Sequence, residues 1–71
     1  MMIREPKRGD SLKVAQGSNL YRMENDGGLI FSEYVKEPTL AMFVDYDKED
    51  HARVIIGTTL RVARIEDLRE V

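Results

Sequence analysis

Four carboxylates crowd into six residues of this chain, Asp45, Asp47, Glu49 and Asp50, directly ahead of its one histidine, His51. Carboxylates at that spacing could hold a hard divalent cation, which takes oxygen ligands. A calcium loop of the helix–loop–helix kind needs glycine at its sixth position, for a sharp turn, and a carboxylate at its twelfth, to close the shell. Counted from Asp45, those positions are Asp50 and Ile56. Neither fits, so the cluster reads as the solvated charge of a turn, and no metal is expected. His51 invites a second chemistry, activation of a hydroxyl nucleophile. The serines are Ser11, Ser18 and Ser32, and none stands in a nucleophile motif with His51. Gly27 and Gly28 lack the lysine and hydroxyl residue of a phosphate-binding loop. No enzyme activity and no cofactor are expected.

The arginines point instead to recognition. Arg61 and Arg64 flank Val62 and Ala63, and Arg53 stands in the apolar run before them. If those two runs pair across Gly57, Arg53 and Arg64 come near one another. Arg4, Lys7 and Arg8 could complete a basic patch. Guanidinium groups suit protein interfaces and phosphates alike. The aromatic residues are Tyr21, Phe31, Tyr34, Phe43 and Tyr46. Single-strand nucleic-acid binders stack bases on exposed aromatics set among basic residues. Here Tyr34 and Tyr46 have the acidic neighbours Glu33, Asp45 and Asp47, so the expectation is that the rings fill the core with their hydroxyls at its rim.

Charge is unevenly spread. Residues 1–22 carry five basic and two acidic groups, net +3. Residues 23–51 carry two basic and eight acidic groups, net −6, and residues 52–71 carry a net +1. The total of −2 argues against a bulk nucleic-acid binder, while the polarity can steer a charged partner. Hydrophobic residues make up 42% and charged residues 34%, proportions of a folded domain rather than a disordered tail. With 71 residues there is room for one domain with a small stability margin. Cysteine is absent, so neither disulfides nor thiolate metal sites can supplement the core. No apolar run is long enough to span a membrane. The stretch from Met1 to Arg8 lacks the apolar centre of a secretory signal, and a cytoplasmic location is the expectation.

The elements that must position these residues repeat with period two, the period of strands. Residues 1–8 form an extended basic lead-in, and 9–71 form the domain. Leu12 and Val14 mark one short strand. Leu20 to Glu24 predicts another, with Tyr21 and Met23 on one face. Asn25, Asp26, Gly27 and Gly28 tolerate the positive φ of a tight turn and predict a hairpin to Leu29–Val35. That third strand has Ile30 and Tyr34 on one face and Leu29, Phe31 and Val35 on the other, so it must curl or be covered on both sides. Pro38 interrupts. A strand from Leu40 to Tyr46 then places Leu40, Met42, Val44 and Tyr46 together. Two final strands, Arg53–Ile56 and Leu60–Ala63, flank a turn at Gly57, Thr58 and Thr59. Residues 65–68 predict one helical turn, and 69–71 a frayed tail.

Turn residues recurring about every ten positions define an all-β chain. Five or six strands in so short a chain must curl around one core, since a flat sheet leaves one face bare. The order of strand, loop, hairpin, acidic turn and hairpin, closed by the run from Arg61 to Leu68, resembles small SH3-like β-barrels of bacterial or phage type over residues 9–68. That resemblance implies a five- to six-stranded barrel with a short terminal helical turn. Peptide-binding SH3 domains have a tryptophan and an aromatic groove motif that this chain lacks, so proline-rich ligands are not implied. The function expected is binding without catalysis: a protein-binding adaptor or inhibitor of a larger assembly such as transcription machinery. Asp45, Asp47, Glu49 and Asp50 would meet a basic partner, and Arg53, Arg61 and Arg64 an acidic one. An alternative is a nucleic-acid-binding barrel using Arg4, Lys7, Arg8, Arg53, Arg61 and Arg64 with Tyr21 or Tyr34. Another is a homo-oligomer subunit, suggested by apolar residues on both strand faces.

Overall fold

The computed structural model describes residues 5–71. Seven strands follow one another: β1 (Ser11–Val14), β2 (Asn19–Met23), β3 (Leu29–Tyr34), β4 (Thr39–Tyr46), β5 (His51–Ile56), β6 (Thr59–Arg64) and β7 (Leu68–Glu70). A 3₁₀ turn, Ile65–Asp67, separates the last two. All pairings are antiparallel, in one sheet of order β3-β2-β6-β5-β4-β1-β7.

The sequence reading differs here in two ways. The sheet is open, with β3 and β7 as its edges, and does not close into a barrel. It also has seven strands rather than five or six, because Arg69 and Glu70, expected in a frayed tail, join Leu68 in a strand. They pair with β1, Leu12 opposite Glu70 and Val14 opposite Leu68. A short charged segment carries little strand signal of its own. It is ordered here by the free edge of β1 and by Leu68, which is wholly buried.

The predicted hairpins form. Between β2 and β3 the Gly27 N–H donates to the Glu24 carbonyl (2.9 Å), and the Glu24 N–H to the Gly28 carbonyl (2.7 Å). Gly27 takes a φ of +87°, which a side chain would strain, so the loop is a turn closed by a glycine bulge. Asp26 Oδ1 accepts from the Gly28 N–H and locks it. β5 and β6 are joined through Gly57 and Thr58, with Ile56 opposite Thr59 and Gly57 at φ +65°.

The sheet curls around a single core. Leu12 and Val14, Leu20, Val35, Ala41 and Phe43, Ala52 and Val54, Ala63 and Leu68 meet on its concave face, with Ile56 and Ile65 packed against them. Three of these residues are alanines on adjacent central strands, and Ala52 lies directly opposite Ala63. Small side chains at the tightest part of the curve leave room for the larger ones to interdigitate.

Two β-bulges break the alternation. The β4–β5 register shifts between Phe43, opposite Val54, and Asp45, opposite Arg53, which leaves Val44 as the extra residue. The β2–β3 register shifts between Leu20, opposite Glu33, and Tyr21, opposite Phe31, which leaves Ser32 over. An extra residue turns everything beyond it to the other face. The shared face predicted for β4 therefore holds for Leu40 and Met42 but not for Tyr46. Ala41 and Phe43 point into the core, Leu40 and Met42 point outward, and Tyr46 falls opposite Ala52 on the core side. In β3 the bulge sends Phe31 and Tyr34 outward together, paired with Tyr21 and Asn19.

Candidate functional site

Directly opposed residues of an antiparallel sheet share a face. The register therefore draws a row across five strands of the convex face: Phe31 opposite Tyr21, Tyr21 opposite Val62, Val62 opposite Arg53, Arg53 opposite Asp45. Each member has a physical role. Val62 is buried although it faces away from the core cluster, so its neighbours on this face cover it. Tyr21 stands edge-on to Phe31 (ring centroids 6.5 Å apart) and to His51 (6.2 Å), the favoured arrangement of ring quadrupoles. Arg53 closes the row with a two-pronged ion pair, Nε donating to Asp45 Oδ1 (2.6 Å) and Nη2 to Asp45 Oδ2.

A second row runs beside the first. Leu60 lies opposite Ile55, Ile55 opposite Met42, and Leu29 opposite Met23. Leu40 extends this row, and a depression of about 230 Å³ opens among Leu40, Met42, Ile55 and Gly57. The convex face thus holds apolar side chains that water reaches: Phe31 is 55% exposed, Leu40 59%, Leu60 46% and Met42 40%. Single exposed apolar residues are ordinary, but contiguous rows of them mark interaction surfaces.

The residues singled out from the sequence do not assemble as expected. The acidic cluster is no uniform negative face. Asp45 is paired with Arg53, and the hydrogen bond from that guanidinium holds its carboxyl below the ordinary 3.8, with Arg8 adding to the attraction. The Asp50 carboxyl accepts from His51 Nδ1 (2.7 Å), and that bond lowers its pKa in turn. Glu49 is exposed, and Asp47 Oδ2 is buried with no hydrogen-bond partner. No group of three metal-ligating side chains occurs among the described residues.

The arginines form no common patch. Arg53 and Arg64 share the convex face one step apart, since Arg64 lies opposite His51. Arg61 alternates to the other side, where its Nε donates to Glu33 (3.0 Å). Arg64 is paired with Glu66 (2.9 Å). Every arginine of the expected patch on β5 and β6 is thus matched to a carboxylate. Of the lead-in residues, Arg4 lies outside those described. Lys7 and Arg8 sit in an exposed turn in which the Lys7 N–H donates to Asp10. That turn is tied to β4 through the Gly9 N–H and the Phe43 carbonyl (2.8 Å).

The aromatic residues are also placed otherwise than expected. Only Phe43 enters the core; Phe31, Tyr34 and Tyr46 are exposed, and Tyr21 is half-buried on the convex face. Among the described residues no hydrogen bond links a serine to His51, whose Nδ1 is engaged by Asp50. Ser18 Oγ donates to the Ala15 carbonyl and Ser32 Oγ to Glu33.

Leu40, Met42, Ile55 and Leu60 were missed as surface candidates, because alternation alone cannot say which face of a strand is inside. The signal available was β3, whose apolar residues occupy both faces. Among the described residues no helix is long and apolar enough to cross a membrane. Comparison with known protein families, with characterised proteins and with solved structures finds no match.

Proposed function

We propose that this chain is a non-enzymatic protein-binding module, an adaptor or inhibitor that docks on a larger assembly through the convex face of its sheet. The observation that carries this reading is the pair of rows described above: aromatic, methionine and leucine side chains around one arginine. That composition distinguishes the centres of protein interfaces from the rest of a surface. The Arg53–Asp45 pair fixes a charged group at the end of an apolar row, which gives a partner both register and area. The nucleic-acid reading draws less support, because Arg53, Arg61 and Arg64 are already matched to carboxylates and net charge is negative. The curl of the sheet around one core and the 3₁₀ turn before its last strand support the resemblance to small SH3-like barrels. The absence of cysteine supports work in a reducing compartment such as the cytoplasm.

The test is affinity capture from nuclease-treated lysate with the wild-type chain and with a Met42→Glu, Leu60→Glu variant. Protein partners that bind the wild type and are lost with the variant bear the proposal out. Partners that disappear on nuclease treatment, and depend steeply on salt through released counterions, overturn it in favour of nucleic acid.

A further inference from the structure

The β3 edge of the sheet carries an inference that the convex face does not. Among the described residues no strand pairs with the outer side of β3. Its turn fixes which backbone groups face that side. The Gly28 carbonyl accepts from the Glu24 N–H, so the 24–28 pair is hydrogen-bonded within the hairpin. Hydrogen-bonded and non-bonded pairs alternate along an antiparallel ladder. Arg22 and Ile30 are then the next bonded pair, and Leu29 and Phe31 turn their N–H and C=O groups to the open edge. Natural edges are blunted by lysine, proline, inward charge or a bulge. Residues 29–31 contain none of these; the bulge begins only at Ser32. The opposite edge, β7, ends in the charged residues Arg69 and Glu70 and shares a cleft with Glu5 and Pro6 of the lead-in.

We propose that β3 is a self-association edge, where two copies of this chain pair antiparallel about a two-fold axis at Ile30 and join their sheets into one. The occupant is read from register and charge. Centring the axis on Ile30 sets Leu29 of each copy opposite Phe31 of the other, so both edge-facing residues find hydrogen-bonding partners. Their side chains then meet on the convex face. The two Ile30 side chains meet on the other face as a non-bonded pair, the closer kind. No like charges are opposed. Glu33, matched to Arg61 within its own copy, is carried toward Gly27 and Gly28 of the second copy, beside the Asp26 carboxylate that holds the Gly28 N–H. The contact is isologous, so it closes at two copies. It joins the two convex faces at Leu29 and Phe31 and leaves Leu40, Met42 and Leu60 of each copy open, presenting two docking surfaces to one partner.

Charge at the axis tests this. Ile30 is 41% exposed and lies outside the core cluster, so Ile30→Lys and Ile30→Glu leave the fold intact, as circular dichroism will verify. Sedimentation velocity across a hundredfold dilution should show a wild-type dimer that dissociates by mass action, and each charged variant a monomer. An equimolar mixture of I30K and I30E should regain the dimer, with the mixed species dominant by native mass spectrometry. A wild type that is monomeric at every concentration, a charged variant that still dimerises alone, or a mixture that stays monomeric overturns the proposal. These readouts need no external partner, so their failure is separate from failure of the docking function.

Discussion

Arg53 and Val54 are neighbours in β5, yet Val54 has no exposed surface while Arg53 lies on the face that water reaches. The contrast extends over the whole sheet. Its concave face is built from ten buried residues that contact one another, and nothing else is needed to explain their types. The convex face is nearly as rich in apolar groups, but only Val62 is fully covered there. Folding alone does not require Phe31, Leu40, Met42 and Leu60 on that side, because leaving apolar area in water forgoes about 25 cal/mol per Å² of stabilisation. The difference teaches that one sheet can hold its fold with one face and leave apolar groups on the other uncovered, which is the surface the docking proposal uses.

The largest expected effects break the concave face. Leu20→Ala or Leu68→Ala should cost about 2–5 kcal/mol, the lost transfer energy plus the cavity. A domain of this size has a total stability of roughly 4–10 kcal/mol, so either variant is close to unfolding. Leu40→Ala, on the convex face, should stay within about 0.5 kcal/mol of wild type. Urea unfolding of the three variants compares the faces directly. Equal losses would mean that the convex face also carries the fold.

Val62 sharpens the comparison because it is the one convex residue that folding has buried. Val62→Ala should cost about 1–3 kcal/mol, from two lost methyl groups and a small cavity under Tyr21. Gly27→Ala should cost about 1–2 kcal/mol, because a φ of +87° pushes a Cβ into the left-handed region. Nothing lies within 4 Å of that site, so the cost is one of backbone alone.

The smallest effects are in pH dependence, and they take opposite signs. The Asp45 carboxyl is held below 3.8 by Arg53, so the folded state favours its charged form. Its contribution is present above the unfolded pKa and is lost as pH falls through the folded one. The Asp67 carboxyl is raised above 3.8, first by burial and then by the charge of Glu66. There the folded state binds the proton more tightly, so stability is gained as pH falls through the raised value. Asp67→Asn should therefore stabilise the protein at neutral pH and make little difference in acid. Asp45→Asn should destabilise at neutral pH and make little difference in acid. Melting temperatures from pH 7 downward check both; matching slopes for the two variants would contradict the assigned environments.

Much of the fold was legible in the residues. Asn25 to Gly28 and Gly57 marked both hairpins, since few other residues take the dihedrals those turns need. Alternation gave the strands and their limits to within a residue or two. It failed at Ser32 and Val44, where a bulge arises from how two strands meet, and neither residue advertises it alone. The bulge at Val44 parted Tyr46 from Leu40 and Met42, and the bulge at Ser32 put Tyr34 on the side of Leu29 and Phe31. β7 was illegible because its pairing is supplied by β1. The candidate site was legible only in its residue types. Arg53 and Asp45 were expected to meet different partners, and their pairing with each other depends on a register shift that no single strand encodes.

The central claim is that the convex face serves binding and not folding. A Phe31→Ser, Met42→Ser, Leu60→Ser variant tests it most directly, with urea unfolding and partner capture measured on the same preparation. The account predicts an unfolding midpoint near that of the wild type and loss of the captured protein. A midpoint lowered as far as that of Leu20→Ala, or capture that persists undiminished, would contradict it.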